Sequence, residues 1–476
     1  MTGCGSLSPK PFTAEQQRER ASADLGKLAR DQEPVRGPVS LYEAMARAMK
    51  YNLDFRLELL EKALAQRELN LSHYNLLPDL VGRMSYYERD NFSGASSRSL
   101  ITGRQSLESS TSQDRGFFAG DLTLSYNVLD FGLSYIRAQQ NADKVLIAEE
   151  RKRKAVNRIA QDVRTAYWRA VSYERLREEM RALAARIERA LAQSQSVREQ
   201  RLESPLTALT YQRELLAIQR ELQTLQRDLM LAKIQLAALM NLKPGEEYQL
   251  DVPERLQRVP ELSIDPLKAG QLALENRPEV RELAYEGRIN EKEAKAAILR
   301  LLPNLRLEGS YNYNDNSFLF NPNWLAGGVQ VAWNLINAFK IPATQKTIKA
   351  KQDVIDTQRL SLSMAVLTQV YVSMAQYGNA RREYNTATDY LGTQNRILGQ
   401  VKSSKLANRI SEQALIREEM NNLVAEVRHD ISYADLQNYY AGVYAAVGQD
   451  PLPAEDVQKK NVQQLKRSLE TYWAGR

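Results

Sequence analysis

One passage of this chain is written twice. Leu76-Leu77-Pro78-Asp79-Leu80, followed by Ser85-Tyr86 and Asp90-Asn91, returns 225 residues later as Leu301-Leu302-Pro303-Asn304-Leu305 with Ser310-Tyr311 and Asp315-Asn316. Ala48 and Met49 recur in the same register as Ala273 and Leu274. In each copy a helix-like stretch precedes the Leu-Pro pair and alternating apolar and polar residues follow it. The chain therefore reads as a duplicated helix-strand-strand-helix unit.

The strands are two-faced. Leu305, Leu307, Gly309, Tyr311 and Tyr313 alternate with Arg306, Glu308, Ser310, Asn312 and Asn314, giving one apolar, aromatic face and one polar face. In the first copy Leu80, Gly82, Met84 and Tyr86 alternate with Val81, Arg83, Ser85 and Tyr87, with only Val81 out of pattern. Each copy continues through a loop into a second strand. There Phe118, Gly120, Leu122, Leu124, Tyr126 and Val128 oppose Asp121, Thr123, Ser125 and Asn127, while Gly327, Val329, Val331, Trp333 and Leu335 oppose Gly328, Gln330, Ala332 and Asn334. Each run has about the 9 to 11 residues that a tilted strand needs to cross a bilayer. Alternation alone also fits half-buried strands of a soluble sheet, so the flanking segments decide.

Those flanking segments are long helical tracts. From Leu133 to Gln200 there is no proline or glycine, and Ile159, Val163, Ala166, Ala170, Tyr173, Met180, Leu183 and Ile187 recur at steps of three, four or seven. At 1.5 Å per residue the tract is about 100 Å of helix. Its counterpart runs from Pro342, expected in a first helical turn, to Ser404, with Ile348, Ile355, Leu362 and later Tyr377, Tyr384, Leu391, Leu398 at sevens. Shorter tracts are expected over 40–76, 206–242, 267–300 and 410–447. The second has the seam Leu215, Ile218, Leu222, Leu225, Leu229, Leu236, Leu239. No globular core encloses a helix of about 100 Å, so an extended antiparallel bundle is expected.

Four strands cannot stand alone in a membrane. An open sheet leaves two edges of unpaired N–H and C=O groups in hydrocarbon, so strands from other copies must close a barrel. Three copies would give twelve strands. The 43% hydrophobic content, mean hydropathy of -0.50 and lack of an apolar run near 18 residues exclude a transmembrane helix, leaving strands as the membrane-crossing elements.

The two-copy order, the Leu-Pro-x-Leu entry to each odd strand, Asn276-Arg277-Pro278-Glu279, and the run from Leu236 to Gly245 together resemble the TolC-type outer-membrane efflux family over roughly residues 40 to 450. That resemblance implies an α+β membrane protein: a homotrimer forming a twelve-stranded transmembrane β-barrel, four strands per chain, continued by a long α-helical coiled-coil tunnel across the periplasm. It implies a Gram-negative outer membrane and export of solutes handed over by an inner-membrane pump and a periplasmic adaptor protein. Residues 40–245 and 267–450 would be the two repeats. The Pro- and charge-rich linker 246–266 and the tail 451–476 would belong to an equatorial region around the helices.

Cys4 is the only cysteine, so no disulfide framework or cysteine metal cluster is present. Met1-Thr2-Gly3-Cys4 resembles the end of a bacterial lipoprotein signal, in which a small residue and Gly precede a Cys that becomes acylated, although Met1 stands where the motif prefers Leu. An export signal removed from or left off this sequence is expected; the alternative is an incidental thiol. Residues 1–39 would then be a lipid-anchored, extended strap, with the barrel supplying the main anchorage in outer-membrane lipid.

Chemistry and nucleic-acid binding find no foothold. His73 and His429 are the only histidines and lack ligand spacing, there is no Gly-rich phosphate loop, and no Ser or Cys sits in a nucleophile motif. No catalytic residue, metal or cofactor is expected. Net charge is +7, from 65 Lys and Arg against 58 Asp and Glu. The densest basic run, Arg151 to Lys154, has interspersed acids and no aromatic platform, as on a solvated helix face.

Functional residues are expected at the ends of a tunnel. The helix reversals are predicted at 200–205 and 404–409, matched at an offset of 204. In the family an adaptor's helical hairpin is expected to grip Gly-Leu-x-small here. Arg201, Leu202, Glu203, Ser204 and Lys405, Leu406, Ala407, Asn408 are the corresponding residues, with Arg201 and Lys405 replacing the glycines. Either these cations ring the tip and select an adaptor with matching acids, or both face solvent. Arg83, Asp121, Arg306 and Glu308 are candidates for the barrel lumen, and the loops 89–116 and 314–323 should face outside the cell. The competing reading is a lipid-tethered periplasmic coiled-coil scaffold without a pore, its β segments forming a soluble sheet. The apolar strand faces bearing Tyr311, Tyr313, Trp333 and Tyr126, which such elongated helices could not easily cover, speak against it.

Overall fold

The computed structural model describes residues 9–28, 30, 32–106, 108–199, 205–243, 245–254, 259–407, 409–451, 457 and 460–474. In chain order their elements are α1 (Ala14–Leu28), α2 (Leu41–Tyr51), α3 (Leu53–Tyr74), β1 (Asp79–Glu88), β2 (Gly116–Asn127), α4 (Val128–Glu199), α5 (Pro205–Leu239), α6 (Pro266–Asn276), α7 (Pro278–Leu299), β3 (Asn304–Asn314), β4 (Asn323–Ala332), α8 (Asn337–Leu406), α9 (Glu412–Ala446) and α10 (Val462–Ala474). Two compact units result. One comprises Met1–Leu60, Glu150–Arg281 and Ser361–Arg476, the other Glu61–Glu149 and Glu282–Leu360.

The duplication extends to the helix caps. Ser40 opens α2 with its side chain accepting from the Glu43 N–H, and Asp265, 225 residues on, opens α6 by accepting from the Leu267 N–H. The tracts expected as continuous over 40–76 and 267–300 are each two helices, broken at the equivalent residues Asn52 and Arg277. The causes differ. Asn52 turns its side chain onto the N–H groups of Asp54 and Phe55 at 3.0 and 3.2 Å, starting a new helix. Arg277 precedes Pro278, whose ring drives it out of helical ψ.

Other boundaries also shift. Residues Ala14–Leu28, expected in an extended strap, form α1, because this proline-free stretch is rich in Ala, Glu, Arg, Gln and Leu. Pro342 lies inside α8, beyond its first turn. The fourth strand is Asn323–Ala332 rather than one ending at Leu335, and the loop before it is accordingly 315–322. Trp333, just past that strand, donates its indole N–H to the Leu301 carbonyl at 3.0 Å.

The first unit is helical and its seams follow the sevens. Leu215, Leu222, Leu229 and Leu236 of α5 are buried, as are Met180, Leu183 and Ile187 of α4 and Ile416, Met420, Leu423 and Val427 of α9. Each such side chain contributes about 1.5–3 kcal/mol on burial. Helices α8 and α9 run antiparallel, since Tyr377 meets Tyr440 and Tyr384 meets Tyr433. Met45 and Met49 of α2 share a core with Val163 of α4, Leu236 of α5, and Leu465 and Leu469 of α10. The C-terminal tail is thus docked on the first repeat.

The second unit holds one antiparallel sheet of order β1-β2-β3-β4. Beside it, Lys292 and Arg288 of α7 both reach Asp143 of α4, the lysine at 2.6 Å. Among the described residues no helix is long and apolar enough to cross a membrane.

Candidate functional site

Strand register puts all four predicted charged residues on one face of the sheet. Arg83 stands opposite Asp121, Asp121 opposite Asn312, Glu308 opposite Ser125 and Arg306 opposite both Asn127 and Gln330. Residues directly across a ladder share a face, as do residues two apart along a strand. Arg83 lies 3.7 Å from Asp121, Arg306 lies 3.3 Å from Glu308, and Thr123 donates its hydroxyl to Asp121 at 2.6 Å. Ser310 and Gly328 complete a polar strip that single-strand alternation could suggest but not align.

The opposite face is apolar from edge to edge. Leu80, Met84 and Tyr86 of β1, Phe118, Leu122 and Leu124 of β2, Leu307, Tyr311 and Tyr313 of β3, and Leu325, Val329 and Val331 of β4 are all more than 40% exposed. No layer of the described chain covers them. A soluble sheet with that face would expose far more contiguous apolar surface than water tolerates. The two outer strands, β1 and β4, each pair on one side only among the described residues. Their free N–H and C=O rows are open to strand addition.

At the end of the sheet reached by the β1–β2 and β3–β4 connections, the two loops are tied together. Ser317 donates its hydroxyl to Asp114 at 2.8 Å, Asn316 donates to the Ser112 carbonyl at 3.1 Å, and Asp315 accepts the Phe118 N–H at 2.6 Å. These bonds join residues some 200 positions apart, so no local pattern in the chain reveals them. Tyr87 and Phe117 stack there at 5.2 Å on the face that carries the charged residues, where Val81 and Trp324 also stand.

The second predicted tip is partly helix. Helix α8 runs to Leu406, so Lys405 and Leu406 occupy its last turn, and the reversal lies between Ala407 and the N-cap Ser411. The first predicted tip, 200–205, lies outside the described residues except for Pro205, which opens α5. Lys405 pairs with Glu412 at 3.3 Å, and Glu412 also lies 3.7 Å from Arg186. Arg201, Leu202, Glu203, Ser204, Asn408 and Cys4 lie outside the described residues.

A family model described as "Outer membrane efflux protein" matches residues 269–405. No curated protein matches the chain. Among solved structures, the Campylobacter jejuni CmeC outer membrane channel is 16% identical, with 94% of this chain and 95% of that one covered and a TM-score of 0.66. The open state of the Neisseria gonorrhoeae MtrE outer membrane channel is 17% identical, with 86% and 89% covered and a TM-score of 0.63. The Vibrio cholerae outer membrane protein VceC is 13% identical, with 86% and 96% covered and a TM-score of 0.62. At such identities the likeness is one of fold, and it extends over most of both chains. Duplicated caps and a two-faced four-stranded sheet thus stand in a chain whose residues 269–405 match the outer membrane efflux protein model and whose fold is that of solved outer membrane channels.

Proposed function

We propose that three copies of this chain close a twelve-stranded barrel in the outer membrane of a Gram-negative bacterium and continue it as a helical tunnel into the periplasm. The observation that carries this reading is the uncovered apolar face bounded by two unpaired strand edges. In lipid the apolar face needs no cover, and closure by other copies satisfies the edge groups, each of which would otherwise cost several kcal/mol. The opposite face, with Arg83, Asp121, Arg306 and Glu308, then lines an aqueous lumen through which solutes leave.

In this reading the protein is a channel, not an enzyme, and works with a periplasmic adaptor and an inner-membrane pump. Acylation of Cys4 adds a second, weaker attachment to lipid. The helix reversals predicted at 200–205 and 404–409 are the adaptor contact. Because Lys405 already has Glu412 as a partner, adaptor choice through Lys405 works by exchanging that pair.

Electron-microscope imaging of the protein extracted in mild detergent tests the assembly. Hollow cylinders with three-fold end views and a detergent belt at one end are expected. Solid rods or small particles without a belt would establish the lipid-tethered scaffold instead. Protease cleavage within the 89–116 loop on intact cells is expected for a barrel, whereas an internal scaffold would be protected.

A further inference from the structure

Within the first unit a groove of about 680 Å³ is bounded by α2, α4, α9, α10 and the linker, and has a buried cation in its wall. Arg164 of α4 is 2% exposed, and among the described residues its Nε and Nη2 have no hydrogen-bond partner. Its guanidinium lies against the Trp473 ring, with 4.1 Å between Cζ and the ring centre. Beside it the buried indole N–H of Trp168 is likewise without an acceptor. Tyr42, Tyr433 and Tyr440 are the polar aromatic neighbours, and burial pushes each of their phenols up, so they stay neutral. Burial lowers Arg164 only to about 10, so it remains charged at neutral pH. A buried guanidinium without a counter-charge is costly, and natural proteins pair such groups.

We infer that this groove is a binding site for a monocarboxylate with an apolar body, held on the Nε–Nη2 edge of Arg164 between the Trp168 and Trp473 rings. That edge presents two parallel N–H donors at the spacing of a carboxylate's two oxygens. The indole N–H of Trp168 offers a third donor. Asp251, Glu261 and Glu470 also line the groove, and their repulsion of an anion grows with its charge, so it weighs most on a ligand with more than one negative charge. They therefore favour a single carboxylate over phosphate. The aromatic walls supply the contact for the rest of the ligand. With Trp473 where it stands, both nitrogens are closed to water. Entry therefore moves Trp473, which sits near the end of α10 and whose emission reports the event.

Benzoate and benzamide, titrated at constant ionic strength into the detergent-solubilised full chain, test the site by calorimetry and tryptophan emission. Benzoate is expected to bind saturably and to shift emission, while benzamide, lacking the charge, does neither. Arg164→Met removes an unpaired buried charge for a side chain of similar length, so the variant should fold, and it should abolish the benzoate response. Arg164→Lys keeps the charge without the fork and should weaken binding by at least about tenfold. It also serves as the test should the Met variant fail to fold. No benzoate binding to the wild-type chain, an equal response in the Arg164 variants, or displacement of benzoate by equimolar phosphate would each overturn the proposal.

Discussion

Asn52 and Arg277 end helices α2 and α6 with one geometry. Each backbone N–H closes on the carbonyl four residues before it, that of Ala48 or Ala273, at 2.9 Å, and ψ turns to 129° or 133°. Two unlike side chains thus hold one break, which points to the backbone path as the shared feature of the two repeats. Asn52 has the larger task, since its side-chain oxygen also caps α3 and its amide donates to the Leu239 carbonyl at 3.2 Å. Replacing it by Ala should cost about 1–2 kcal/mol. Asn52→Asp, which keeps the capping oxygen, should lose less; denaturant melts of the two variants would show the order.

Gly448 follows α9 with φ of 79°, and a Cβ there would stand 2.5 Å from the Asn276 carbonyl carbon and 2.6 Å from the Arg277 nitrogen. Both the left-handed backbone and the close approach require glycine. Gly448→Ala is expected to destabilise by about 2–4 kcal/mol, combining the backbone term with displacement of the α6–α7 break. A thermal melt checks this, with Gly245→Ala as comparison. Gly245 also has positive φ but nothing within 4 Å of its Cβ position, so it should lose only the backbone term.

The two faces of the sheet should respond oppositely to one added charge. Leu122→Arg places a cation on the apolar face near the middle of β2, where lipid exposure costs about 2–4 kcal/mol. Asn312→Arg places it on the polar face opposite Asp121 and should be tolerated. The yield of assembled protein in the outer-membrane fraction checks both. Equal yields would contradict lipid contact on the Leu122 face.

Acid should loosen the α6–α7 break through Glu279. Burial pushes this carboxyl up, but the two N–H groups of Arg277, both at 3.1 Å, outweigh it and hold the group below its ordinary 4.5. A lowered folded value means that the pair's contribution is complete above pH 4.5 and is lost as pH falls through the lower folded value. The stability difference between wild type and Glu279→Gln should therefore be constant near neutrality and shrink in acid below that value. Melts across the acid range would reveal a flat difference if Glu279 were not the group involved.

Strand alternation, the heptads of α5 and the Leu-Pro duplication were legible in the residues because each is a local, periodic pattern. Leu215, Leu222 and Leu229 needed only the 3.6-residue geometry of a helix to be read as one seam, and Leu305 to Tyr313 only the two-residue pleat. The break at Arg277 had its signal in Pro278, but that at Asn52 was not legible, since Asn52 stops a helix by bonding forward to Asp54 and Phe55 while many asparagines inside helices do not. The sequence by itself determined which faces are apolar and which helices are long, because side-chain period follows from backbone geometry alone. Only the tertiary structure decided that Arg83 faces Asp121, that the two loops are tied through Asp114 and Ser317, and that Arg164 lies buried without an anion. Each of these depends on strand register or helix packing between residues far apart in the chain, and no local pattern encodes such distances.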